Sequence, residues 1–332
     1  MSLARVRGPG HPDQACDLVV SSIVEEYARR DPAARLKLYA CGGQGALFLA
    51  GEVFSTADFD VSAIVRRALG QSGVTAPMEP FIALEPMAPA WASEVGSREV
   101  TTVTGYATDE TPHHLPRAVT WARDVARELE RRRVSDPEWF WLGADYTVTV
   151  EDHGAQPLVI IHVEHVPAQS IESVRQQITS LLSARLPPSV IVRVNPAGEE
   201  TRAGLGARMG SSGRGSAQDQ YGSHLPTNVS GVGLHMAHPL NVGAWLARSM
   251  AKELVVAKHG KAVMVQATWL PMEARPHTIR ARNEKGENLS SFIAPDRFDL
   301  NRIPSEFTTP SLATASIRHA FDGSVELPWE MG

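Results

Sequence analysis

Lysine is almost missing from this chain. Only five of its 32 basic residues are lysine (Lys37, Lys252, Lys258, Lys261 and Lys285), and none falls between Lys37 and Lys252. A coding bias toward arginine and alanine accounts for such a composition, and so does the loss of a lysine-built anion site. Arginine can hold an anion in bidentate fashion but is not a geometric stand-in for a lysine point charge. Cysteine is scarce as well. Cys16 and Cys41 alone exclude a disulfide framework and match no metal-binding spacing. No run of about 18 apolar residues is present, which argues against a membrane span. Net charge is −5 with a pI near 6.2, so no basic footprint for nucleic acid is expected. The opening residues lack the long apolar core of a signal peptide, and a cytoplasmic protein is the expectation. What is present is ample apolar material, 43% of 332 residues, enough for a buried core in one to three domains.

Patterning predicts a mixed architecture. After Pro12, apolar residues recur at Ala15, Val19, Ile23 and Tyr27, a helical stripe that stops near Asp31-Pro32. Two strand-like runs over 36–41 and 46–52 flank Gly42-Gly43-Gln44-Gly45 and read as a hairpin. Further helices are expected over 60–69, 113–134, 169–184 and 241–257. Strands are expected over 100–107, 146–151, 158–164, 190–194, 262–270 and 278–281. Residues 77–91 are proline-rich and partly extended. The stretch 198–240 is rich in Gly and Ser, and a loop that long is usually functional or mobile. Sheet pairs with a covering helix recur three times without a visible repeat in the letters, which predicts an α+β fold.

Two strings carry more. Gly10-His11-Pro12-Asp13-Gln14 opens the first helix, and Gly105-Tyr106-Ala107-Thr108-Asp109-Glu110-Thr111 follows some ninety residues later. Together they resemble the methionine adenosyltransferases (S-adenosylmethionine synthetases), whose signatures read GHPDK and GYATDET. The resemblance runs on in order through Gly51-Glu52, His165, Asn195-Pro196-Ala197-Gly198, Ser212-Gly213-Arg214, Asp219-Gln220-Tyr221-Gly222, Arg248 with Ala251-Lys252, and Pro328-Trp329-Glu330. It implies three similar α+β domains of βαβ type about a pseudo-threefold axis, and a sheet-to-sheet homodimer with active sites between subunits. The expected domains are about 1–100, 101–195 and 196–332, with 1–110, 195–240 and C-terminal pieces interleaved. It also implies adenosyl transfer at C5′ of ATP to methionine or a similar amino acid, so ATP, S-adenosylmethionine or a related nucleoside is the expected ligand.

By the same resemblance, His11 stabilises the leaving oxygen, Asp13 holds Mg²⁺, and Arg214 meets phosphate or carboxylate oxygens. Glu52 takes the amino group of the amino acid, and Asp219 contacts metal or ribose. Each has a plainer use: His11 as a local helix-start bond, Asp13 as a complement to the helix dipole, Glu52 and Arg214 as surface residues. His162 and Glu164 share one strand face while His165 points away, a poor preformed zinc site.

The departures cluster. Gln14 and Gly215 stand at lysine positions, and Leu234–Asn241 carries no lysine where the family's loop has them. Asp145 stands near a fourth lysine position, Arg208 near a substrate-binding aspartate, and Tyr39 at the potassium-site glutamate. Met87 stands near the methionine-site glutamine, and residues 96–101, with Glu99, replace the adenine loop. Each charge-assisted contact is worth roughly 1.5–3 kcal/mol, so a triphosphate loses much of its grip unless Arg98, Arg202, Arg208 and Arg214 compensate. Three readings stay open. They are synthesis from ATP with arginines for lysines, an enzyme whose substrate has no triphosphate (preformed S-adenosylmethionine, for instance), and a non-catalytic regulatory subunit.

Overall fold

A computed structural model describes residues 2–92, 95–152, 154, 156–225, 229–319, 321 and 327–330, with backbone alone at 217–219, 318 and 319. In chain order the elements are β1 (Ser2–Arg7), α1 (Pro12–Arg30), β2 (Arg35–Gly43), β3 (Ala46–Phe54), α2 (Val61–Gln71), β4 (Glu79–Pro86), the single turn α3 (Pro89–Ala92) and β5 (Thr101–Thr108). Then come α4 (Arg117–Ser135), β6 (Leu142–Asp152), β7 (Leu158–His165), α5 (Ile171–Ser183), β8 (Ile191–Val194), β9 (Gly210–Ser211), α6 (Arg214–Asp219), α7 (Ala244–Val256), β10 (Ala262–Trp269), β11 (Thr278–Asn283) and α8 (Leu312–His319).

Local chemistry explains most boundaries. Pro12 enters α1 at its first turn, and the His11 side chain accepts from the Asp13 N–H at its N-cap. The β2–β3 turn uses Gln44 and Gly45, both at positive φ (52° and 97°), the twist a two-residue hairpin requires. The α4 helix starts at Arg117, later than the pattern predicts, with Pro116 as its N-cap in a non-helical, extended conformation (φ −56°, ψ 141°). Regular α7 begins at Ala244 behind a π-helical turn over Pro239–Gly243.

Three sheets result, ordered β4-β3-β2-β9, β1-β6-β7-β8 and β11-β10-β5. Each is built on a helix followed by an antiparallel pair: α1-β2-β3, α4-β6-β7 and α7-β10-β11. The first two pairs each add a helix and a parallel strand, α2-β4 and α5-β8. The strand preceding each helix leaves for another unit's sheet. Thus β1, before α1, pairs with β6; β5, before α4, pairs with β10; and β9, before α7, pairs with β2. This cyclic exchange is what makes three small units one molecule. The expected α+β, three-unit architecture is the observed one. No sequence pattern marks β1, yet this strand ties the first unit to the second.

The helices cover one face of each sheet, burying Leu36, Leu38, Leu47 and Leu49 under α1, and Val148, Val150, Val159 and Ile161 in the second unit. Among the described residues no helix is long and apolar enough to cross a membrane.

Candidate active site

Where β1 hands the chain over to α1, a cleft of about 540 Å³ opens. Its walls are Arg5 and Arg7 of β1, His11 and Asp13 of α1, and Asp145, Thr147 and Thr149 of β6. His162, Val163 and Glu164 of β7 and Glu200, Arg208 and Arg214 from the long loop region complete it. The cleft therefore exists only because of the strand exchange: β1 and β6 belong to one sheet, while α1 covers another.

Gly213, at φ +80°, turns the chain into α6 and delivers Arg214. Arg214 reaches Asp13 by Nε to Oδ2 at 3.0 Å and by Nη2 to Oδ1 at 2.8 Å, a two-point pair. The Ser211 N–H donates to Asp13 Oδ1 at 3.0 Å, and Arg7 stands 3.9 Å from Oδ2. A second pair joins Arg208 to Asp145 Oδ2, which also accepts from the Gly204 N–H at 2.6 Å. Asp145 Oδ1 is buried and accepts no hydrogen bond among the described residues.

His11 is held neutral. Burial, with Arg7 and Arg208 adding and Asp145 and Asp13 opposing, pushes its pKa down to about 4. Its Nδ1 accepts from the Asp13 N–H at 3.2 Å, which puts the ring proton on Nε2 as a donor. Glu164 accepts weakly from the Asp145 N–H at 3.4 Å, and burial raises its carboxyl above the ordinary range.

Four arginines thus face four carboxylates, with no lysine in the lining. Both fully buried carboxylates, Asp13 and Asp145, already serve guanidinium groups. The set does not fit a protein-held Mg²⁺, because Asp13 would have to surrender Arg214 to offer oxygens. No cluster of three or more His, Cys, Asp or Glu among the described residues is arranged to hold a metal. The expected potassium position is Tyr39, which brings a phenol and no carboxylate.

A separate cleft of about 410 Å³ holds the remaining expected residues: Glu52, Met87 and Glu99, beside Lys37, Tyr39, Trp91, Arg98, His235 and His238. Arg98 stacks over Trp91 at 3.3 Å from the ring centroid. Lys37 and Glu99 stand 3.9 Å apart, both well exposed. The two clefts share no lining residue. The side chain of Asp219 lies outside the described residues.

Profiles of the S-adenosylmethionine synthetase N-terminal and central domains match residues 4–85 and 94–200. This chain belongs to the S-adenosylmethionine synthetase family. It is 25% identical to S-adenosylmethionine synthase of Thermus thermophilus, over 86% of this chain and 81% of that one. It is likewise 25% identical to the Aquifex aeolicus enzyme, over 97% of this chain and 93% of that one. Its fold is similar to an unusual S-adenosylmethionine synthetase from Campylobacter jejuni, with a TM-score of 0.85 at 20% identity over 99% and 97% of the two chains.

Several family letters do structural work. Gly105 lies flat under α7, where any Cβ would come within 2.1 Å of the Ala247 backbone. Arg248, fully buried, donates to the carbonyls of Tyr106, His113 and His114 and forms a two-point pair with Glu330 at 2.8 and 3.1 Å. Lys252 adds to Glu330 at 3.6 Å. The second family signature and the C-terminal Pro-Trp-Glu are thereby one buried knot. Gln14 is buried and donates to the Ile317 carbonyl of α8 at 3.1 Å, so this lysine-to-glutamine departure lies in the core, outside the cleft lining. The sequence missed Arg5, Arg7, His162, Glu164 and Glu200 as cleft residues. The shared face of His162 and Glu164 was legible, but the opposing wall comes from β1, which gave no recognisable signal.

Proposed function

We propose that this family member performs C5′ adenosyl chemistry on a nucleoside without a triphosphate, such as a sulfonium nucleoside. The observation that supports this is the charge balance of the His11 cleft: four arginines against four carboxylates, two of the arginines already paired. A triphosphate brings about four negative charges, and drawing Arg208 and Arg214 to it would leave the buried carboxylates of Asp145 and Asp13 without their guanidinium partners. When water, the simplest nucleophile, bonds to C5′ and gives up its proton to solvent, the C5′–S bond breaks and the sulfur of a sulfonium departs as a neutral thioether, so no negative charge accumulates on the leaving group and no polyphosphate grip is required.

His11, neutral with a proton on Nε2, acts as a hydrogen-bond donor to a ligand oxygen and fixes the nucleoside; it is no base in this tautomer. Arg214 and Asp13 brace the helix start that presents it. Glu52, Met87 and Glu99 form the other half of the site, supplied by a second copy of the chain, as the family resemblance implies.

The test offers purified protein either ATP, Mg²⁺ and methionine or preformed S-adenosylmethionine, and follows nucleosides by mass spectrometry. The expected result is no S-adenosylmethionine from ATP, consumption of the preformed nucleoside, and a loss of at least about tenfold in His11→Ala. Net synthesis from ATP would overturn the proposal.

A further inference from the structure

The two clefts differ in their walls. Among the described residues lining the His11 cleft, Val163 alone is apolar. The Glu52 cleft is walled by Leu36, Met87, Trp91, Val100 and Leu240. A flat ring finds apolar walls only in the second. It also finds a platform there. Arg98 lies over one face of the Trp91 indole at 3.3 Å from its centroid, which orients the guanidinium. Arg98 is exposed and forms no ion pair among the described residues, so its outer face is open to a base, as guanidinium planes in base-binding sites are.

Two histidines of the same cleft have opposite tautomers. His235 Nδ1 donates to the Leu36 carbonyl at 3.4 Å, which leaves a lone pair on Nε2. His238 Nδ1 accepts from the Leu240 N–H at 3.1 Å, which leaves the proton on Nε2. The ring centroids are 5.5 Å apart, and both rings line the Glu52 cleft. Neither Nε2 has a protein partner among the described residues, and neither is sealed from solvent. Burial holds both rings neutral, so the arrangement persists at neutral pH. Among the described residues, no third His, Cys, Asp or Glu joins them in a metal-holding group. Both lie in the stretch 234–241, where the family's loop carries lysines.

A bare acceptor beside a donor, on two neutral rings, selects a neutral ligand edge of the complementary order. Adenine has that edge in its 6-amino group and an adjoining ring nitrogen. In a 6-oxo purine held the same way, an oxygen would face the His235 lone pair instead. We propose that the Glu52 cleft is an adenine pocket. The base stacks on Arg98, gives its 6-amino group to His235 and accepts the His238 N–H on a ring nitrogen. This rests on the proposed nucleoside chemistry and deepens it, by assigning the base to the Glu52 half of the site and leaving C5′ to His11.

The experiment is equilibrium binding to the intact protein by titration calorimetry. The probes are S-adenosylhomocysteine and S-inosylhomocysteine, which differ only in the base edge. The adenine compound should bind at least about fivefold more tightly. His235→Ala, checked for folding by circular dichroism, should bring that ratio near one, and His235→Gln, whose amide oxygen is again an acceptor, should restore part of it. Arg98→Ala, on an exposed loop, should weaken both compounds at least about fivefold and leave their ratio alone. Equal binding of the two compounds, no binding of either, or an unchanged ratio in a folded His235→Ala would each overturn the inference. So would an unchanged affinity in Arg98→Ala, and this variant decides the matter if His235→Ala does not fold. Turnover of S-adenosylmethionine, measured on the same protein, keeps the two readings apart. Consumption of it alongside equal binding of the two probes would sink the adenine pocket and leave the C5′ reading standing. Base discrimination that depends on His235, with no nucleoside consumed, would uphold the pocket and sink the C5′ reading.

Discussion

His11 lowers its own basicity by where it sits. Its Nδ1 caps the helix it begins, and burial disfavours the charged ring. Burial lowers His114 and His224 as well, and two more histidines are pushed down about as far as His11. His235 is pushed down to about 3 by burial, with His238 and Arg35 adding to it, and His238 is pushed down to about 4 by burial and Lys37. All three have folded pKa values below the 6.5 of an unfolded chain, so the unfolded state binds more protons as the pH falls. Stability must then decline as pH drops from 6.5 toward 4. Between pH 7 and pH 5 the loss should be on the order of 1–2 kcal/mol per histidine. Urea unfolding at the two pH values reads it as a lower midpoint at pH 5. An unchanged midpoint would mean that these rings are not held neutral. The arginine-paired Glu26 and Glu128, whose carboxyls are pulled down, contribute only at lower pH, whereas Glu164, whose carboxyl is raised by burial, works against the histidines as pH falls.

At the scale of elements, Gly105 tests whether the second family signature is architecture or chemistry. A Cβ there collides with the backbone of α7, not with a side chain that could swing away. Gly105→Ala should therefore cost about 1–3 kcal/mol and lower the melting temperature by about 2 °C or more. Nucleoside binding should stay unchanged in whatever fraction remains folded. A variant that melts like the parent but fails to bind would place the motif in the site instead. Elements with local signals were legible in the sequence: Pro12 and Asp31-Pro32 bracket α1, and the glycine run marks the β2–β3 turn. β1 was not. Its six residues alternate too briefly to stand out, and its partner lies some 140 residues away in β6. The site followed the same rule. His11, Asp13, Arg208 and Arg214 converge, but the cleft that unites them needed β1 and the pairing of Arg208 with Asp145, neither of which local periodicity encodes. Gln14 shows the converse, a departure in a signature that looks catalytic and proves to be a core contact with α8.

The whole molecule exposes one face that a single chain leaves uncovered. On the sheet ordered β4-β3-β2-β9, the side away from α1 aligns Tyr39 with Ala50 and Ala83, and Cys41 with Phe48 and Phe81, across three registered strands. Tyr39, Phe48 and Phe81 are each about half exposed (53%, 51% and 50%), and the two phenylalanine rings stack at 5.0 Å. A contiguous apolar patch of this kind on a sheet face is the signature of an interface. Lys37, Glu52 and Glu85 border it in register, and the first two also line the Glu52 cleft. A second copy seated on this face would bury the aromatics beside the Glu52 cleft. The parent should therefore sediment as a dimer at micromolar concentration. Phe48→Glu, which places a carboxylate in the middle of the patch and leaves every residue of the His11 cleft in place, should sediment as a folded monomer. If the site is shared, that monomer should lose nucleoside turnover almost entirely, and turnover of the parent should fall more than linearly on dilution below the dimer dissociation constant. A folded Phe48→Glu monomer that keeps full turnover would confine the chemistry to one chain and leave the second cleft without a part in it.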